Sequence, residues 1–259
     1  HYLDLVALGT VADVVPLDQV NRALVHQGLM RIRAGHGRPG INALLKIAGK
    51  NPAQLVASDM GFAVAPRLNA AGRLDDISYG IQCLITDDPK EALARAQELE
   101  QFNQDRKAIE RDMQIEALNI VEGLALTDKV QLPAALCLYQ ADWHQGVVGL
   151  LASRIKEKFH RPVAVFARDD SGTLKGSVRS IPGLHIRDAL DAVATKNPGL
   201  ITKFGGHAMA AGLSLEENQF DQFQKALEQQ VANTVDPKDL EATLQTDGQL
   251  DVHDFSMHT

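Results

Sequence analysis

The sequence predicts an α/β fold in two units joined by one long helix. Three observations carry this expectation. A strongly charged helical stretch runs from Asp88 to about Glu122, well past the roughly 10–14 residues of an ordinary globular helix. After it, from about 130 to 235, short apolar runs alternate with amphipathic ones, as strands and helices do in an α/β unit. Before it, a Val- and Leu-rich run opens the chain and helical patterns follow.

Taken in order, residues 2–17, "YLDLVALGTVADVVPL", suit a strand buried on both faces, ending in a loop around Asp13 to Pro16. "QVNRALVHQGLMRIRAG" has helical periodicity and stops at Gly35. "PGINALLKIAG" and "PAQLVASDMGFAV" read as helices, and "APRLNAAGRLDD" as a turn-rich segment carrying Arg67, Asn69 and Arg73. At the boundary, Asp88 suits an N-cap, Pro89 the first helical position, and Glu91 the far side of a capping box. Leu99, Phe102, Ile109, Met113 and Ile120 then lie on or near one face of the helix. In the second unit "AALCLY", "PVAVFA" and "TLKGSVRS" read as strands, and "KFGGHAMAAGLSL" as a strand pair. "GVVGLLASRIKEKF", "IRDALDAVATK" and "NQFDQFQKALEQQV" read as helices. From about Asp236 the helical pattern is lost.

Composition narrows the function classes. The 259 residues are 45% hydrophobic, enough for packed cores, and no apolar run approaches the length of a membrane helix. A formal net charge of −7 argues against a uniformly basic nucleic-acid coat. Local basic surface is still available, because acids concentrate in 87–128 and 215–247 while Arg and Lys recur in 154–187. Cys83 and Cys137 sit in apolar runs, as small core residues of a reducing, cytoplasmic compartment would. The chain opens inside a strand-like run without methionine and shows no signal-peptide layout, which reads as a cut and not a natural start.

Zinc ribbons, zincins, serine-hydrolase elbows and P-loops are disfavoured, since none of their motifs occurs. What remains favours phosphate. As a strand, "TLKGSVRS" turns Lys175, Ser177 and Arg179 to one side, offering an ammonium, a hydroxyl and a guanidinium. A solvated face paired with acids is the plainer alternative. In "WHQGVVGLLASRI", Gly146 and Gly149 open a helix whose N-terminus favours an anion, His144 is a donor, and Trp143 suits either base stacking or a core plug. In "KFGGHAMAAG", Gly205 and Gly206 allow close main-chain approach beside His207, or simply make a turn. Asp13 in "GTVAD" is placed as a metal carboxylate or as a loop cap, with Asp4 a weaker candidate.

"LDLVALGTVADVVPL", "PRLNAAGRLDD", "WHQGVVGLLASRI", "LKGSVRS" and "KFGGHAMAAG" together resemble the RecJ family of single-strand-specific 5′→3′ exonucleases, in the DHH phosphoesterase superfamily. The resemblance implies that 1–87 are the C-terminal part of a DHH domain, 88–128 a connector helix, 129–235 a DHHA1 domain, and 236–259 the start of an OB-like region. It implies a divalent metal, Mn²⁺ or Mg²⁺, with Asp13 as ligand and catalytic carboxylate. It implies a 5′-phosphate pocket of Arg73, Ser177 and Arg179, with His144, Gly205, Gly206 and His207 on the single-stranded DNA. Single-strand-binding protein and a helicase are implied partners, and mononucleotide release in DNA repair and recombination the activity. No Asp-His-His signature occurs, so most of the two-metal ligand set is missing and the chain alone is expected to be inactive. A DHH-family phosphodiesterase of short oligoribonucleotides or cyclic dinucleotides, and a nonenzymatic nucleic-acid-binding module, are the alternatives.

Overall fold

A computed structural model describes residues 2–127 and 132–243, together with 246, 248 and 249. The first unit is wholly helical. It comprises α1 (Leu3–Ala12), α2 (Gln19–Arg31), α3 (Pro39–Ile47), the single turn α4 (Ala57–Asp59), α5 (Ala65–Leu74) and α6 (Ser78–Ile85).

Three expectations for this unit fail. "PAQLVASDMGFAV" is not one helix: extended backbone at Leu55 and Val56 separates a short turn at Pro52–Gln54 from the helical stretch that starts at Ala57. The opening run is helix α1, not a strand. Its buried residues are Asp4, Ala7 and Leu8, a three-and-four spacing that β-branched neighbours obscured. The Asp4 carboxylate accepts the N–H groups of Leu5 (2.9 Å) and Arg38 (2.8 Å), so it ties the start of α1 to the start of α3. A β-carbon on Gly28 would stand 2.2 Å from the Leu3 carbonyl, so α2 packs on α1 only because that position is bare. The "turn-rich" segment is likewise helix α5. Pro66 sits in its first turn, where its missing N–H costs nothing, and buried Ala70 and Ala71 let the helix lie close to its neighbours.

Helix α7 spans Pro89–Thr127, 39 residues. The Asp88 carboxylate accepts the Lys90 N–H at 2.9 Å, as a cap should. Glu91 does not close a capping box; it accepts from the Thr86 hydroxyl (2.6 Å) and from Arg95. The helix is less a solvent-spanning strut than a wall shared by two cores. Ala92, Ala96 and Leu99 belong to the core of the first unit, while Met113, Ala117 and Val121 belong to a core formed with the second.

The second unit follows the expected order: β1 (Leu136–Tyr139), α8 (Val148–Phe159), β2 (Val163–Arg168), β3 (Thr173–Arg179), α9 (Ile186–Lys196), β4 (Lys203–Gly206), β5 (Ala210–Glu216) and α10 (Phe220–Ala232). The strands form one sheet in the order β1-β2-β3-β5-β4, with β1 and β2 parallel and the other pairs antiparallel. Leu174, Val178, Ala211, Leu213 and Leu215 bury one face together with residues of α9 and α10. Val163, Val165 and Ala167 bury the other face with α7 and α8, and α8 reaches over β3 as well. From β3 toward β5 and β4 that face becomes progressively more exposed. It presents Lys175, Ser177 and Arg179 of β3, then Gly212 of β5 and Gly205 of β4, which the register sets side by side. Past β5 and α10, a short turn at Pro237–Leu240 stays attached, its Leu240 carbonyl accepting from Arg161 at 2.9 Å. The expected OB-like start lies mostly outside the described residues. No helix among the described residues is long and apolar enough to cross a membrane.

Candidate functional site

Where α5 of the first unit meets the β1–α8 loop and β3 of the second, a cavity of about 360 Å³ opens. Arg73, Ser177 and Arg179 all line it, with Gly146, Gly149 and Lys175 around them. The junction is tight. A β-carbon on Gly146 would stand 1.9 Å from the Arg73 carbonyl oxygen, while Arg73 Nη1 donates back to the Gly146 carbonyl at 3.2 Å. That pairing carries Arg73, from a different unit, to the cavity beside the central strand β3.

The cavity is electropositive by construction. Arg179 Nη1 donates to Ser177 Oγ at 2.7 Å and to the Val178 carbonyl at 3.0 Å, so the guanidinium is held by its own strand. Among the described residues neither Arg73 nor Arg179 forms a salt bridge. Burial, and then the charge of Arg73, hold Arg179 below the usual arginine range. Burial, and then Arg106, lower Arg73, with Glu110 acting the other way. Glu110 itself is engaged by Arg106 on its own helix and by Arg154 of α8 at 3.3 Å. Lys175 is partly neutralised by Asp169 at 3.4 Å. Helix α8 has no side-chain cap at its N-terminus, and its first residues, Val148 and Gly149, border the cavity. The positive end of a helix therefore faces the same space. Such a site favours an anion: two half-buried guanidiniums repel each other, and a phosphate, sulfate or carboxylate between them offsets that repulsion.

The remaining sequence candidates lie outside this cavity. His144 is half-buried, and its Nδ1 accepts the Gly146 N–H at 3.1 Å. In the neutral ring this leaves the proton on Nε2. Gly205 and His207 are exposed, Gly205 two strands from Ser177 on the open face and His207 just after β4. Gly206 has φ 150°, and a β-carbon there would lie 2.4 Å from the Ala210 carbonyl, so its bareness serves the β4–β5 hairpin. Trp143 is no stacking platform: it is 4% exposed and its Nε1–H donates to Glu116 of α7 at 2.7 Å. Asp13 is exposed at the C-terminal end of α1 and does not line the cavity. No group of three or more His, Cys, Asp or Glu side chains that could hold a metal occurs among the described residues. One exposed carboxylate does not fit a two-metal centre. The sequence pointed to Arg73, Ser177 and Arg179, and to Gly146 and Gly149 at an anion-favouring helix start; the cavity wall at Gly72 carries no comparable local signal.

Comparison with known proteins finds relatives of both sequence and fold. The DHHA1 domain model matches residues 131–233. The single-stranded-DNA-specific exonuclease RecJ of Salmonella typhimurium is 58% identical over 255 residues, 98% of this chain. Along nearly its whole length the chain is therefore similar to part of RecJ. It spans about 44% of the length of that relative, and 44% of the Haemophilus influenzae RecJ, to which it is 52% identical. A solved structure of RecJ from Thermus thermophilus in complex with Mn²⁺ superposes with a TM-score of 0.78 at 36% identity, covering 91% of this chain and 33% of that one. A RecJ structure from the same organism is in complex with Mg²⁺. The α/β architecture with its long helix is thus that of RecJ structures, and the sheet unit is a DHHA1 domain.

Proposed function

We propose that this chain forms the end-gripping part of a single-stranded-DNA-specific 5′→3′ exonuclease of the RecJ kind, with Arg73, Ser177 and Arg179 holding the 5′-terminal phosphate. The observation that carries the reading is the cavity in which two half-buried arginines meet without a carboxylate. A terminal phosphate monoester brings about −1.5 to −2 charges at neutral pH and several acceptor oxygens, whereas an internal diester brings one. The pocket therefore prefers an end to the middle of a strand. Ser177 accepts from Arg179, which leaves its own hydroxyl proton to donate. From Ser177 the register leads across Gly212 to Gly205, so a strand leaving the pocket can lie on bare main chain. His144 and His207 flank that track and supply donors to its backbone. Gripping the 5′ end fixes the direction of degradation.

In the same proposal Asp13 is one metal-facing carboxylate, although it builds no centre alone. Single-strand-binding protein or a helicase delivers the strand. The two unpaired, buried cysteines suit a reducing cytoplasm. The test is fluorescence anisotropy of the chain with a single-stranded oligonucleotide bearing a 5′-phosphoryl or a 5′-hydroxyl end, at low salt. Tighter binding of the phosphorylated end is expected. Equal affinity for both ends would remove the pocket from the 5′ terminus.

A further inference from the structure

The pocket owes its room to one residue on the opposite wall. A β-carbon built on Gly149 would stand 2.9 Å from Arg179 Nη2 and 3.1 Å from Ser177 Oγ, the two groups proposed to hold the phosphate. No other heavy atom comes nearer to that position, so Gly149 is bare toward the cavity and not toward the core. The contrast with its neighbours is informative. At Gly146 the obstacle is the Arg73 main chain, and at Gly176 it is the Phe166 ring, 2.4 Å away, so those glycines serve packing. Gly149 has no backbone of that kind to avoid. It also occupies the second residue of a 12-residue helix, where alanine is the better helix former and no positive φ demands glycine.

We infer that Gly149 is a specificity-determining residue of the anion site: its missing side chain leaves the space that a terminal phosphate fills and lets the Arg179 guanidinium keep its pose against Ser177. This deepens the proposed function and rests on it. The steric argument predicts an unusual separation of effects. In Gly149→Ala the atoms that must yield are the tip of a long side chain and one hydroxyl, which move at little cost to the fold. What moves is the phosphate-binding pair itself. The helix gains propensity while the pocket loses its shape.

The experiment compares wild type, Gly149→Ala and Arg179→Ala, using the full chain. For each, anisotropy gives the affinity ratio between 5′-phosphoryl and 5′-hydroxyl single strands, and thermal unfolding gives stability. In Gly149→Ala the ratio is expected to fall by about tenfold or more, the size of one charge-assisted hydrogen bond. Its affinity for the 5′-hydroxyl strand and its melting temperature should match or exceed wild type. A wild type with no preference would sink the 5′-phosphate reading itself. If wild type discriminates, Arg179→Ala does not, and Gly149→Ala still does, the inference fails while that reading stands. Loss of affinity for both ends alike, or a lowered melting temperature, would also overturn it, because Gly149 would then be a packing residue.

Discussion

The α-carbon of Gly146 lies so close to the carbonyl of Arg73 that a β-carbon would come within 1.9 Å of that oxygen. This contact joins the two units where both contribute to the cavity. Gly146→Ala must therefore push α5 away from the α8 loop. Because the obstacle is main chain, the cost should be about 1–3 kcal/mol of stability, as for an overpacked site. Arg73 should move out of the pocket as well. A lowered unfolding midpoint together with loss of 5′-phosphate preference is expected, in contrast to the stable Gly149→Ala. An unchanged midpoint would mean that the junction yields more freely than its geometry indicates.

Arg179 should act through charge and through shape. Removing it as Arg179→Ala should cost about 1.5–3 kcal/mol of binding to a 5′-phosphorylated strand, the range for a hydrogen bond to a charged group. Binding to a 5′-hydroxyl strand should change much less. Arg179→Lys keeps the charge, but one ammonium cannot take the place of Nη1 against Ser177 and Val178 and also supply the second planar nitrogen that Arg179 keeps for a phosphate, so it should recover only part of the loss. Titration of both oligonucleotides against each variant decides this. Full rescue by lysine would reduce the site to a point charge.

Trp143 supplies a spectroscopic check. It is the single tryptophan of the chain, 4% exposed and bonded to Glu116. Its emission should be that of a buried indole, and saturating single-stranded DNA should leave it unquenched. Quenching by stacked bases would place the nucleic acid against α7 instead of the open sheet face.

The β2–β3 turn has a predictable acid response. Asp169 accepts from the Ser171 hydroxyl, from the N–H groups of Ser171 and Thr173, and pairs with Lys175. These interactions, the Ser171 hydroxyl foremost, hold its carboxyl below the ordinary 3.8. A folded-state value below the unfolded one means that the stabilisation is complete above the unfolded value and is lost as pH falls through the folded one. The turn should thus be intact at neutral pH and loosen only in acid. Amide exchange at Ser171 and Thr173 should rise there, followed by NMR. Loosening near pH 6 would point to some other group.

Cysteine reactivity tests the placement of the cores. Burial pushes the Cys83 thiol up to about 11, and raises Cys137 as well. At pH 8 both remain thiols shielded from solvent, so a thiol reagent should label neither until the chain unfolds. Fast labelling of the native protein would contradict the packing of α6 or β1.

Much of the second unit was legible because its signals are local. Alternation put Lys175, Ser177 and Arg179 on one face of a strand, and the structure keeps all three on the cavity. The cap at Asp88 and the proline after it marked the start of α7. The first unit was less legible. In "LDLVALGTVA" branched residues hid a helical spacing, and in "APRLNAAGRL" small residues that serve close helix packing imitated a turn.

By itself the sequence determined the order of elements in the DHHA1 unit, the long helix, and the strand face that carries Lys175, Ser177 and Arg179. All of these rest on periods of two or 3.6 residues and on side-chain chemistry, which act within a few positions. Tertiary structure alone decided that α1 and α5 are helices packed on bare or small residues, and that Trp143 is core. It also decided that Arg73 crosses from one unit to meet Arg179 from the other. That meeting depends on a carbonyl and a glycine 73 positions apart in the chain, and no local pattern encodes a contact made by the packing of two units.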